Sequence, residues 1–168
     1  MEKVRIAKIV NTHGLNGELK IYLTTSNPEM RFAKNSIVYI GENPNNILLT
    51  AKVLNYKYKS NSIAFVTLSG YEDINKVEQY INTNMYADKL ELEDGSYYID
   101  DLIGFKIVDS NQKEYGIAEK AVYVSDKIYF VVGKDYLPFD TEHFIDKVDL
   151  EKKELILSEL GAGIFEWL

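Results

Sequence analysis

Alternation of apolar and polar positions dominates the first half of the chain. In Glu18-Leu19-Lys20-Ile21-Tyr22-Leu23, the residues Leu19, Ile21 and Leu23 share one face, the period of a half-buried strand. A first strand is expected near residues 4–10, and β-rich runs cover residues 36–41, 46–58 and 62–68. Ile63-Ala64-Phe65-Val66 is apolar on both faces, so that strand should be buried. Asn43-Pro44-Asn45-Asn46 and Lys59-Ser60-Asn61-Ser62 carry turn chemistry between neighbouring strands. The period changes once. In residues 73–81, Ile74, Val77 and Ile81 fall at i, i+3 and i+7 behind a candidate N-cap at Asp73. This pattern predicts one short helix closing an open end of a small barrel.

Residues 87–96 form a charged passage ending at Gly95, and the domain boundary is expected there. The expected division is a first domain over residues 1–90, a linker over 91–96 and a second domain over 97–168. The second half again reads as strands, at residues 104–108, 115–124, 128–132, 136–139, 144–150 and 154–158. Short polar turns join them, which suggests a small barrel or sandwich. The tail, Gly161-Ala162-Gly163-Ile164-Phe165-Glu166-Trp167-Leu168, is apolar and aromatic and should dock on its own domain or on a partner.

With 168 residues, 46% of them hydrophobic, the chain can fill a globular core, and two small domains fit that length. No run approaches the roughly 18 apolar residues of a membrane helix. The N-terminus lacks the apolar core of a signal peptide. Cys is 0, which removes disulfides and thiolate metal sites and fits the cytoplasm. Charge changes the picture more. Residues 1–93 hold 11 basic and 10 acidic side chains, whereas residues 94–168 hold 8 and 16, so the net charge of -7 divides as +1 in the first half and -8 in the second. Such a half repels a phosphate backbone and attracts a basic partner. The same surface would equally serve solubility alone.

Candidate chemistry is sparse. Thr12-His13-Gly14-Leu15-Asn16-Gly17 forms a loop ahead of the second strand, with Gly14 and Gly17 suited to positive φ. It lacks the phosphate-loop pattern and enters a strand, not a helix. His13 as a base or ligand has no evident co-actor, so a contact or structural loop is the better reading. Asp109-Ser110-Asn111-Gln112-Lys113 opens like a calcium loop, but Glu114 stands where glycine is needed and Lys120 where a bidentate Glu is needed, so a hairpin turn is expected. Asp140, Glu142 and His143 suggest a metal site only loosely. Tyr56-Lys57-Tyr58-Lys59 combines rings and cations in the manner of RNA-stacking surfaces, but is better read as a strand with aromatic pairs on one face. Tyr97-Tyr98 stands out. On extended backbone the two rings must point to opposite sides, so one is expected in a core and the other outside, where a large amphipathic ring makes an anchor. Asp100 and Asp101 should diverge for the same reason.

Several segments together resemble the RimM family of ribosome maturation factors. They are residues 6–19, with Thr12-His13-Gly14-Leu15-Asn16-Gly17-Glu18; Pro28-Glu29-Met30-Arg31-Phe32; Ser96-Tyr97-Tyr98-Ile99-Asp100-Asp101-Leu102-Ile103-Gly104; Leu137-Pro138-Phe139; Val148-Asp149-Leu150; and Gly163-Ile164-Phe165-Glu166. Their order and spacing cover nearly the whole chain. The resemblance implies a mainly β protein of two small β-barrels, an N-terminal translation-factor-like barrel and a C-terminal PRC-type barrel. It implies a cytoplasmic, non-enzymatic assembly factor without a cofactor or metal, acting on 16S rRNA processing and on the head of the 30S subunit. The implied partner is small-subunit ribosomal protein nineteen, bound through Tyr97 and Tyr98 with Asp100 and Asp101 in support. Thr12, His13, Gly14 and Gly17 are expected as a second contact, toward 16S rRNA or the other domain. A monomer without membrane contact is expected. Two other readings stand beside this one: a direct rRNA-binding module, and an enzyme with its cleft near His13. One departure from the family pattern is Tyr123-Val124-Ser125-Asp126-Lys127, where a glycine-containing turn is usual.

Overall fold

The alternation of residues 18–23 turns into a pair of antiparallel strands, β1 (Lys3–His13) and β2 (Glu18–Leu23), in a computed structural model that describes residues 2–89, 96–124 and 127–166. A four-residue helix α1 (Pro28–Arg31) follows, then β3 (Ile37–Asn43), β4 (Asn46–Ser60), β5 (Ile63–Leu68), α2 (Ile74–Val77) and β6 (Asn84–Asp88). These strands close into a barrel in the order β1-β2-β5-β4-β3-β6, with β6 returning to β1. Closure leaves no strand edge unpaired in this sheet. Leu19, Ile21, Val53, Val66 and Met85 fill the interior and are fully buried. The β4–β5 hairpin turns on Asn61 and Ser62, both at positive φ, the geometry that matches the twist of the flanking strands.

The helix expected over residues 73–81 is shorter than its pattern. Asp73 caps α2 by accepting from the Asn75 amide, but α2 stops at Val77 and a 3-10 turn (Glu78–Tyr80) completes the segment. Val77 and Tyr80 join the core, while Ile81 is only half-buried. The barrel also carries a second short helix, α1, where one was expected. Its Pro28 supplies the preset φ of a first helical turn.

The chain divides into two compact units, Met1–Tyr98 and Ile99–Leu168. The second begins with a 3-10 turn (Ile99–Leu102), followed by β7 (Lys106–Val108), β8 (Glu114–Ile117), β9 (Lys120–Val124), β10 (Lys127–Val132), β11 (Asp135–Pro138), β12 (Ile145–Asp149), β13 (Glu154–Leu157) and α3 (Glu159–Phe165). The strands form a four-stranded sheet, β12-β13-β7-β8, and a three-stranded sheet, β11-β10-β9. The single strand expected at residues 115–124 is therefore two strands in two sheets. The break falls at Ala118 and Glu119, whose amides donate to Phe105 and Val131 respectively. A Cβ on Gly116 would collide with Val132, so β8 approaches β10 as closely as glycine permits. Phe130 packs edge-on to Phe139 at 5.4 Å within a core that includes Ile107, Leu137 and Leu155. Residues 109–113 form the turn of the β7–β8 hairpin, with Asp109 accepting from the Asn111 and Lys113 amides. Part of the aromatic tail is α3, capped by Ser158 and packed on β11 and β13 of its own unit. Residues 91–95 of the expected linker, Ser125 and Asp126 of the departing turn, and Trp167 and Leu168 lie outside the described residues.

Candidate functional site

The tyrosine pair belongs to the first unit and does not open the second. Tyr98 bridges Thr25 in antiparallel fashion, and the neighbouring Ser26 amide donates to the Tyr97 carbonyl at 2.8 Å. In return the Tyr97 amide donates to Ser26 Oγ at 2.5 Å. This short extended strip separates the rings as alternation requires. Tyr98 is 4% exposed and part of the barrel core, whereas Tyr97 is half-buried. Burial pushes the Tyr97 phenol above its ordinary pKa.

Tyr98 has a buried cationic neighbour. Arg31, 5% exposed at the end of α1, donates from Nη2 to the Tyr98 hydroxyl and from Nη1 to the Asp88 carbonyl at 2.8 Å. Its guanidinium carbon also lies 5.5 Å from the Tyr98 ring centroid. Sequence reasoning quoted Arg31 as part of a motif without giving it a role. The available signal was Pro28 at a helix start, which fixes Arg31 one turn later, on the side that faces the barrel.

Asp100 and Asp101 are not on extended backbone. They occupy the 3-10 turn (Ile99–Leu102), where positions i and i+3 eclipse. Ile99 and Leu102 therefore face inward together, and Asp100 and Asp101 share the exposed side. The expected divergence fails because two apolar residues three apart dictate a turn.

The loop near the N-terminus is tighter than expected. Thr12 and His13 lie in β1 itself, and the loop proper is residues 14–17. Gly14 and Gly17 both adopt positive φ, +75° and +79°. A Cβ on Gly17 would overlap the Tyr71 carbonyl, because the loop is fastened to the start of α2, whose Ile74 amide donates to the Leu15 carbonyl. His13 Nδ1 lies 2.6 Å from Glu18 Oε1, and its ring sits 4.5 Å from that of Phe65. Leu15 projects from the tip, 74% exposed, beside a shallow depression of about 340 Å³ lined by His13, Asn55, Thr67 and Glu72. The loop is thus fastened to α2 with Leu15 exposed at its tip.

In the second unit Asp140 accepts from the Glu142 and His143 amides and pairs with His143 Nδ1 at 2.9 Å. The cluster thus caps a turn. No group of three or more metal-binding side chains occurs among the described residues. Asp109, Asp146, Glu159 and Glu166 surround a depression of about 350 Å³. Burial, reinforced by the Asp109 and Glu166 carboxylates, pushes the adjacent Tyr115 phenol up to about 12.

Among known proteins, the model of the RimM N-terminal domain matches residues 4–92. The chain is 31% identical over 167 residues to a ribosome maturation factor RimM of Clostridioides difficile, covering 95% of each. It is 31% identical over 157 residues to that of Finegoldia magna, covering 90% of this chain and 93% of the other. A third relative, from Oenococcus oeni, is 31% identical over 174 residues and covers 99% of each. A barrel matched through its whole sheet, together with likeness over nearly the full length, makes this chain a member of the RimM family.

Proposed function

We propose that the chain is a ribosome assembly factor that binds small-subunit ribosomal protein nineteen and promotes maturation of the 30S head and 16S rRNA processing. It acts in the cytoplasm by binding and not by catalysis. Membership of a family of ribosome maturation factors supports the assembly role. The observation that carries the partner is the asymmetric tyrosine pair. One ring is sunk in the barrel, and the other is half-buried on a strip whose backbone is bonded on both sides of Tyr97. A ring so fixed loses little entropy when a partner closes over it. Asp100 and Asp101, on the exposed side of the next turn, add charge for a basic protein. In this reading the loop around Thr12, His13, Gly14 and Gly17 is a second contact.

Titration of ribosomal protein nineteen against single alanine variants tests the assignment. Tyr97→Ala should weaken binding at least tenfold, about 1.4 kcal/mol, with native circular dichroism. Tyr98→Ala should instead destabilise the barrel by about 3 kcal/mol, the cost of emptying an aromatic site. Unchanged affinity for Tyr97→Ala would remove the anchor.

A second reading, direct contact with rRNA, is favoured by one stretch. No Asp or Glu occurs from Pro44 to Tyr71, and its Lys52, Lys57 and Lys59 are exposed along β4 with Tyr58 between the last two. It predicts binding of naked rRNA with a steep salt slope, and a shallow slope rejects it.

A further inference from the structure

Arg31 is an unusual core residue. Among the described residues its partners are a carbonyl, a hydroxyl and an aromatic face, not a carboxylate, and its Nε has no hydrogen-bond partner. A buried cation costs free energy unless its surroundings are fixed around it. These partners join two places: Asp88 is the last residue of β6, and Tyr98 belongs to the strip that bridges Thr25. Among the described residues the strip makes an isolated bridge at Thr25 and Tyr98 and hydrogen bonds between Ser26 and Tyr97. Such bonds gain little more than the entropy lost in fixing the residues that make them. The buried Tyr98 ring and the guanidinium that it meets add to that hold.

We infer that Arg31 is a positioning residue for partner recognition: by clamping Tyr98 against the end of β6, it sets the pose in which the adjacent Tyr97 ring meets the partner. The inference rests on the function proposed above for its consequence in binding. The pose itself does not depend on that function. The planar fork matters here. Nη1 and Nη2 diverge to reach two acceptors while the plane stays near the ring, a geometry that a lysine ammonium on a flexible stem does not reproduce. Recognition would thus draw on the first unit through α1.

Amide hydrogen exchange on the full chain tests the pose without a partner. In Arg31→Met the Ser26 amide, which donates to the Tyr97 carbonyl, should exchange at least tenfold faster. The Ile9 and Val53 amides, which donate to Thr83 and Ser36 elsewhere in the barrel, should stay within twofold. Arg31→Lys should not restore protection. Binding is the second arm. Arg31→Met should lose most of the affinity that Tyr97→Ala loses, and the double variant should bind no worse than the weaker single. Unchanged Ser26 exchange overturns the inference, as does Arg31→Met binding like the native chain while Tyr97→Ala does not. If the native chain does not bind ribosomal protein nineteen but Ser26 exchange rises as stated, the proposed partner fails and the clamp stands. Should Arg31→Met unfold, Tyr98→Phe removes only the accepting hydroxyl, and a threefold rise at Ser26 is then the expected result.

Discussion

The first unit closes its sheet with long strands, β1 of 11 residues and β4 of 15, whereas among the described residues no strand of the second exceeds the 6 residues of β10. The first is neutral, and the second carries the whole net charge of -7. A closed barrel has every edge satisfied, so residues 97–98 pair beyond its strands, with Thr25 and Ser26 after β2. The second unit is built from two small sheets and is strongly acidic. Yet its acids are not all free to meet a partner. Asp109, Asp140 and Asp149 each accept from the backbone amides of their own turns, which holds all three below the ordinary carboxylate range despite an opposing desolvation in each case. Counting acids in a sequence therefore overstates the docking surface, because short-stranded folds consume Asp at their turns.

The sharpest break of the comparison is Phe130→Ala. Phe130 is fully buried and packs on Phe139, so its loss should cost the second unit about 3–5 kcal/mol. If the two units each hold their own core, amide exchange should rise throughout β7–β13 and stay native in the β1–β6 barrel. Uniform acceleration across both units would show a single cooperative fold.

Gly17→Ala acts on the opposite side of the comparison with a smaller effect. The position has φ +79°, and a Cβ would collide with backbone atoms of residues 71–73. A cost of about 1–3 kcal/mol is expected, read as a lowered melting temperature of the first unit. Gly14→Ala, also at positive φ but with open space around its Cβ position, should cost less. Equal costs would mean that backbone strain alone, and not fastening of the loop to α2, explains the glycine.

Much of this was legible in the sequence because period-2 alternation survives where one face of a strand is buried. Leu19, Ile21 and Leu23 fall on the inner face as read. The separation of the two tyrosines was equally legible, since it needs only extended backbone at residues 97–98. What alternation could not supply was allegiance. Tyr98 joins the first barrel because Arg31 and Thr25, 67 and 73 positions earlier, supply its neighbours, and no local pattern encodes a pairing so distant. Asp100 and Asp101 were misplaced for a local reason. Ile99 and Leu102 at i and i+3 form a helical signal too short to outweigh the strand reading around it. The end of the helix at Val77 was hidden as well, since Ile81 fits the stripe but Tyr80 takes the buried place.

The smallest effect separates turn acids from surface acids. Desolvation raises the Asp140 carboxyl, but the His143 ring and the Glu142 and His143 amides outweigh it, so the folded pKa lies below the ordinary carboxylate value. A carboxylate depressed in the folded state contributes stability that is fully present above its unfolded pKa and is lost as pH falls through the folded one. Asp140→Asn should therefore lower stability near neutral pH by less than about 1 kcal/mol, because the group is partly solvated and screened. The difference between variant and native chain should shrink as pH drops below about 4, where the unfolded carboxyl protonates. Asp101→Asn, on the exposed side of its turn, should leave stability unchanged across the same range and weaken only association with a basic protein. Denaturant melts of both variants between pH 3 and 7 give the comparison. If Asp101→Asn follows the same pH course as Asp140→Asn, Asp101 also serves its own turn, and the acidic surface left for a partner is smaller still.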